Sequence, residues 1–122
     1  MTVRRCLFSL LFVAASTGSL AFAGARADEP PPRVIEITAK RFEFSPATIT
    51  LKKGETVTLR LHSEDVTHGF FQRALKLSAA IEPGHIVDVT LTPQTAGRFL
   101  TICDHFCGAQ HGNMHMNIVV EE

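Results

Sequence analysis

The string Cys103-Asp-His-Phe-Cys107-Gly-Ala-Gln-His111-Gly-Asn-Met114 puts two thiols, an imidazole and a thioether within a dozen residues. Donors crowded in this way constrain a chain more tightly than its hydropathy does, because they act together only if the fold turns them toward one point. Thiolate and thioether are soft ligands and select copper over magnesium or calcium. Two cysteines and two histidines also make a tetrahedral zinc set, although that set has no use for Met114. The second histidine must come from elsewhere, and His68, in Asp65-Val-Thr-His68-Gly-Phe, is the candidate. The rest of the chain reads as a scaffold that carries His68 to the loop at 103–114.

That scaffold is built of strands. Short runs rich in Val, Ile, Thr and Leu lie at 34–38, 48–51, 56–61, 86–91, 98–102 and 116–120. Lys52-Lys53-Gly54-Glu55 separates the second run from the third, predicting a hairpin or a strand–turn–strand pair. Pro83-Gly84 precedes the fourth run, and the fifth leads directly into Cys103. No stretch of a dozen residues keeps a helical period. Strands at this spacing predict an all-β, two-sheet sandwich. Phe42, Phe44, Phe70, Phe71, Phe99 and Phe106 are expected to form its core and the walls of the site.

Residues 1–27 read as an export signal. Arg4 and Arg5 precede an apolar stretch at 7–15, and Ala25-Arg26-Ala27 offers small residues where a signal peptidase reads them. An uncleaved membrane anchor over 6–23 is the competing reading. It sits close to the lower limit for a span, roughly 17 residues, and Ser16, Thr17, Gly18 and Ser19 interrupt it. Residues 28–32 form a proline-rich spacer, and 33–122 a single domain.

Of twelve basic residues, Arg4, Arg5 and Arg26 fall in the signal, whereas none of the twelve acidic residues does, so the remainder carries a net charge of −3. That mild charge gives no basis for nucleic-acid binding. Cys6 leaves with the signal, and the domain keeps Cys103 and Cys107. Export would permit a disulfide between them. A bridge across three intervening residues closes so small a loop that it restricts the unfolded chain little, and it leaves His111 and Met114 unexplained.

One cysteine, two histidines and a weak axial methionine make a mononuclear blue-copper site. The second thiolate extends that set. Two thiolates can each bridge two copper ions, with His68 and His111 as terminal imidazoles and Met114 as a weak axial ligand. A backbone carbonyl between the cysteines can serve the other ion. The combination of Asp65-Val-Thr-His68-Gly-Phe, Pro83-Gly84, Gly97-Arg-Phe and Cys103-x3-Cys107-Gly-x2-His111-x2-Met114 resembles the CuA cupredoxin domain. That domain occurs in subunit II of cytochrome c oxidase and other haem–copper oxidases, and in nitrous-oxide reductase. The resemblance spans about residues 33–122. It implies a cupredoxin-like Greek-key β-sandwich and a binuclear copper centre. It also implies that the carbonyl donor is that of His105, where the family more usually carries an acidic or amide residue.

The other histidines, His62, His85 and His115, are expected to be surface or ordinary polar residues, and Met116 a core residue. His62 is nearest in sequence to His68, but it lies within a strand. A site closed by thiolates, imidazoles and weak axial groups leaves no open position for a substrate. The expectation is therefore a periplasmic one-electron carrier with no enzyme activity of its own. Its partners would be a periplasmic cytochrome or other redox protein and a membrane oxidase, and the chain would be a monomer. The alternative is copper storage or delivery to a membrane copper enzyme, for which His105, His115 and Met116 would form an outer relay. The chain has neither Trp nor Tyr, so Phe70, Phe71 or Phe106 would have to line any aromatic route for electrons.

Overall fold

The computed structural model describes residues 31–122; the signal or anchor read at 1–27 and the first spacer residues lie outside them. Nine strands follow one another: β1 (Arg33–Lys40), β2 (Glu43–Ser45), β3 (Thr48–Lys52), β4 (Val57–Ser63), β5 (His68–Gln72), β6 (Leu77–Ile81), β7 (Val87–Leu91), β8 (Gly97–Ile102) and β9 (His115–Glu121). They form two sheets, one ordered β2-β1-β4-β7 and the other β3-β9-β8-β5-β6. The pairs β1/β4 and β3/β9 are parallel, and the remaining pairs are antiparallel. The only helical element among the described residues is a single 3-10 turn, His111–Asn113. No described helix is long and apolar enough to cross a membrane.

Period-two alternation explains how the sheets face one another. In β4, Val57, Leu59 and Leu61 are buried while Thr58, Arg60 and His62 are partly exposed. In β9, Met116, Ile118 and Val120 point inward. Across the interior, Ile37 and Ala39 of β1 and Ile49 and Leu51 of β3 complete the aliphatic core. Phe70 is fully buried and meets Phe44 edge to face, with ring centroids 5.6 Å apart. This is a favoured geometry for an aromatic pair.

The two runs around Gly54 do not pair with each other. β3 joins β9 in one sheet, and β4 joins β1 and β7 in the other. The turn between them crosses the sandwich, held by Lys53 N–H to the Glu121 carbonyl and Gly54 N–H to the Pro93 carbonyl, both at 2.7 Å. Alternation fixes which residues point inward but does not say which sheet a strand joins, so the sequence is compatible with either arrangement. The phenylalanines divide as well. Phe44 and Phe70 are core, Phe42 and Phe99 pack against it, and Phe106 is 76% exposed. Phe106 is therefore not a core residue. Cys103 and Cys107 turn inward, and the segment between them bulges outward.

The second sheet sets up the site. β5 begins at His68, β8 ends at Ile102, and the two are antiparallel neighbours with Phe71 opposite Ile102. Running that register outward brings Gly69 opposite Asp104, so His68 meets the segment that follows β8. Phe70, two residues after His68, is fully buried within the core. Phe70→Ala should lower unfolding stability by about 3–5 kcal/mol, measured by denaturant titration of the metal-free protein.

Candidate metal centre

His68 is fully buried, and its two nitrogens have different surroundings. Nε2 lies 2.7 Å from Asp65 Oδ1. Nδ1 is buried with no hydrogen-bond partner. Asp65 also accepts from the Arg41 backbone N–H at 2.7 Å and the Val66 N–H at 2.6 Å. Burial works to raise the Asp65 carboxyl, but the bonds from Arg41, His68 and Val66 outweigh it and hold the pKa down at about 2. An ionised carboxylate can only accept, so the hydrogen resides on His68 Nε2 and the Nδ1 lone pair faces the interior. This is the arrangement by which a carboxylate orients a metal-binding imidazole.

The segment at 103–114 closes on itself. The Cys103 N–H donates to the Met114 carbonyl at 3.1 Å, and the turn at His111–Asn113 is secured by Met114 N–H to the His111 carbonyl at 3.1 Å. Inside this ring the Cys103 and Cys107 sulfurs lie 3.7 Å apart, both thiols free. Cys107 Sγ is 3.7 Å from His111 Nδ1 and 3.8 Å from Met114 Sδ. Cys103 Sγ is 3.1 Å from the His105 carbonyl oxygen. The donor atoms of His68, Cys103 and Cys107 all fall within 4.8 Å of one another, the only such histidine, cysteine or carboxylate group among the described residues. The structure thus brings together His68, Cys103, the His105 carbonyl, Cys107, His111 and Met114. It leaves His85 and His115 exposed, and it places His62 on the outer side of β4 beside the Thr38 hydroxyl at 3.2 Å.

These residues fit a metal on two grounds, and binding carries one proton cost. A disulfide needs sulfurs about 2.05 Å apart, whereas sulfurs sharing one ion at about 2.3 Å each can stand up to about 4.6 Å apart. The observed 3.7 Å excludes a disulfide and is compatible with the second case. The buried His68 Nδ1 lacks any other partner, and a buried polar atom left unpaired is costly. Burial, then the adjacent Cys103 sulfur, push the Cys107 thiol up to about 11. An ion that takes this sulfur as thiolate must therefore displace a proton.

Two contacts make the site possible without being legible as ligands. Gly69 N–H donates to Cys103 Sγ at 3.3 Å. A Cβ at Gly69 would lie 2.6 Å from the His105 nitrogen and 2.8 Å from the Asp104 nitrogen, so only glycine permits the two backbones to come this close. Arg41 is the other. Its Nε donates to the Cys107 carbonyl at 2.7 Å, and the partners of Arg41 lie far from it in sequence.

The profile of the cupredoxin-like domain matches residues 6–120. The chain belongs to this family. It is 30% identical over 93 residues to a cytochrome c oxidase subunit 2 from Thermus thermophilus, covering 76% of this chain and 69% of that one. It is 35% identical over 91 residues to the nitrous-oxide reductase of Cupriavidus necator, covering 71% of this chain but 14% of that much longer one. In three dimensions it resembles the periplasmic domain of subunit II of cytochrome oxidase from Bradyrhizobium japonicum, with a TM-score of 0.68 at 18% identity over 74% of this chain and 84% of that one. The expected all-β cupredoxin fold is therefore the fold observed.

The Gly69 contact is testable in this cupredoxin without metal. Gly69→Ala should push the 103–114 segment away from β5 and lower stability by about 1–3 kcal/mol. Thermal unfolding of the metal-free variant against the parent measures the loss; an unchanged midpoint would show that the segment yields freely.

Proposed function

We propose that this chain is a periplasmic one-electron carrier that holds two copper ions in a CuA-type centre. The observation that carries this reading is the pair of free, inward-facing thiols 3.7 Å apart, with an imidazole and a thioether beside Cys107 and an orphaned imidazole nitrogen beside both. Cys103 and Cys107 would bridge, His68 Nδ1 and His111 Nδ1 would each serve one ion, and Met114 and the His105 carbonyl would be the weak axial donors. Bound copper supplies one-electron redox chemistry, with the charge shared between the two ions. The relatives named as cytochrome c oxidase subunit 2 and nitrous-oxide reductase support copper as the metal.

The residues present suit electron transfer better than catalysis. With two ions bound, every donor would be committed and no open position would remain for a substrate. The two sulfurs, His68 and Met114 are all buried, which excludes water and keeps the donor set fixed between redox states. That burial also favours retention over storage or delivery, since a departing ion would have to leave four buried donors. His111 is only half-buried and lies against exposed Phe106, ring centroids 5.9 Å apart, so this corner is where a redox partner would approach. The partner in this reading is a periplasmic cytochrome or similar redox protein, with a membrane oxidase as the further destination. The export signal read from the sequence at 1–27 and the likeness to a periplasmic domain support the location.

The copper-loaded protein should hold about two ions per chain, and the paramagnetic resonance of its oxidised form should show hyperfine coupling to two equivalent copper nuclei. Cys103→Ser or Cys107→Ser should leave at most a mononuclear centre. One copper per chain with a single-nucleus pattern in the parent would falsify the binuclear reading.

Met114→Leu should be milder, because it keeps the volume and removes only a weak ligand. The binuclear spectrum should persist while the potential moves by about 60 mV or more, a tenfold change in a one-electron equilibrium. Protein-film voltammetry measures it. Loss of all copper from this variant would instead make Met114 a principal ligand.

A further inference from the structure

The turn between β1 and β2 reaches the metal site from below, and nothing in the ligand pattern accounts for it. Arg41 makes two bonds there with two different parts of itself. Its backbone N–H donates to Asp65 Oδ2 at 2.7 Å, and Asp65 Oδ1 accepts from His68 Nε2 at 2.7 Å. Its side-chain Nε donates to the Cys107 carbonyl at 2.7 Å. One residue thereby grips both halves of the site, which lie on segments far apart in sequence.

A second contact points the same way. Gly108 has φ +143, and a Cβ there would stand 2.8 Å from Phe42 Cζ, 2.9 Å from Phe42 Cε1 and 3.5 Å from Arg41 Nε. The Arg41–Phe42 pair is thus packed directly against the backbone at 107–108. No side-chain ion pair among the described residues includes Arg41, but the Asp65 carboxylate held by its backbone N–H is close by, and the two charges act on Cys107 in opposite senses.

We propose that Arg41 is a positioning residue that locks the 103–114 segment against His68 and, through its positive charge beside Cys107, raises the reduction potential of the bound metal. The first half stands on the geometry alone; the second rests on the copper reading above. The electrostatic sign is independent of how many ions are bound. Oxidation adds a positive charge to the centre, and a neighbouring cation disfavours that state. Arginine stays protonated at every accessible pH, so the effect does not depend on titration. Its planar Nε–H is also directional in a way a lysine ammonium is not.

Two variants separate the bond from the charge. Arg41→Met removes both, and Arg41→Lys keeps the charge but not the Nε bond. Both leave the backbone N–H to Asp65 in place. The first measurement is residue-resolved amide hydrogen exchange on the metal-free full chain. Both variants should speed exchange at the Met114 and Asn113 amides by roughly tenfold, a loss of local protection of the size one hydrogen bond gives. Exchange in the centre of β4 should not change. Unchanged exchange at 113–114 in both variants would overturn the locking role.

The second measurement is the potential of the copper-loaded proteins. Arg41→Met should lower it by several-fold in the reduction equilibrium, where tenfold is about 59 mV for one electron. Arg41→Lys should stay closer to the parent. A potential that is unchanged or rises in Arg41→Met, in a protein that keeps the parent's copper spectrum, would overturn the charge effect. If the parent itself shows no copper–thiolate spectrum, the copper reading fails and the charge effect with it, while the metal-free exchange result still decides the locking role.

Discussion

The backbone contact between Gly69 and the Asp104–His105 segment is the constraint on which the rest of the site depends. β5 and β8 pair at Phe71 and Ile102, and beyond that point the ladder ends. In place of the next sheet bond, the Gly69 N–H turns to a sulfur, Cys103 Sγ. A side chain at 69 would separate the two segments, and with them His68 and the two cysteines. The single hydrogen in place of a methyl group therefore sets how closely a strand-borne imidazole and a loop-borne thiolate can approach. The Gly69 donor also suits a thiolate better than a thiol, since hydrogen bonds to a charged acceptor are the stronger ones.

Burial then determines what the assembled donors can do. Cys103, Cys107 and Met114 are continuous with the aliphatic core, His68 is fully buried beside them, and Met116 and Ile118 follow on β9. In such surroundings an uncompensated thiolate is disfavoured, which is why the Cys107 thiol lies well above its ordinary range. A bound cation reverses that balance and ties occupancy of the site to the packing around it. In the proposed carrier, the same rigid surroundings would limit how far donors shift when an electron arrives or leaves. Asp65 extends the rigidity outward, accepting from His68 Nε2 while the Arg41 backbone N–H holds Asp65.

Much of this was written in local sequence. Strands at 48–51, 56–61, 86–91, 98–102 and 116–120 show in their alternation, and the donor string shows in its composition. The short strands were less visible. Glu43–Ser45 has too few residues for a period, and His68–Gln72 begins with three successive buried residues, so alternation is absent where the metal site starts. The pairing of β3 with β9 instead of β4 was also hidden, because alternation records the inward face and not the neighbour. Phe106 misled for a related reason: an aromatic between two inward cysteines is forced outward, which depends on the loop's path and not on its hydropathy. Arg41 carried no signal at all. Its partners, Asp65 and Cys107, reach it only after both sheets have formed.

The central claim is that two cysteine sulfurs are shared between two copper ions. X-ray absorption at the copper edge of the loaded protein tests it most directly, because it reports the neighbours of each copper without reference to oxidation state. Two sulfur scatterers per copper together with a second copper at close range is the result expected. One sulfur per copper with no neighbouring copper would contradict it and return the site to a mononuclear centre.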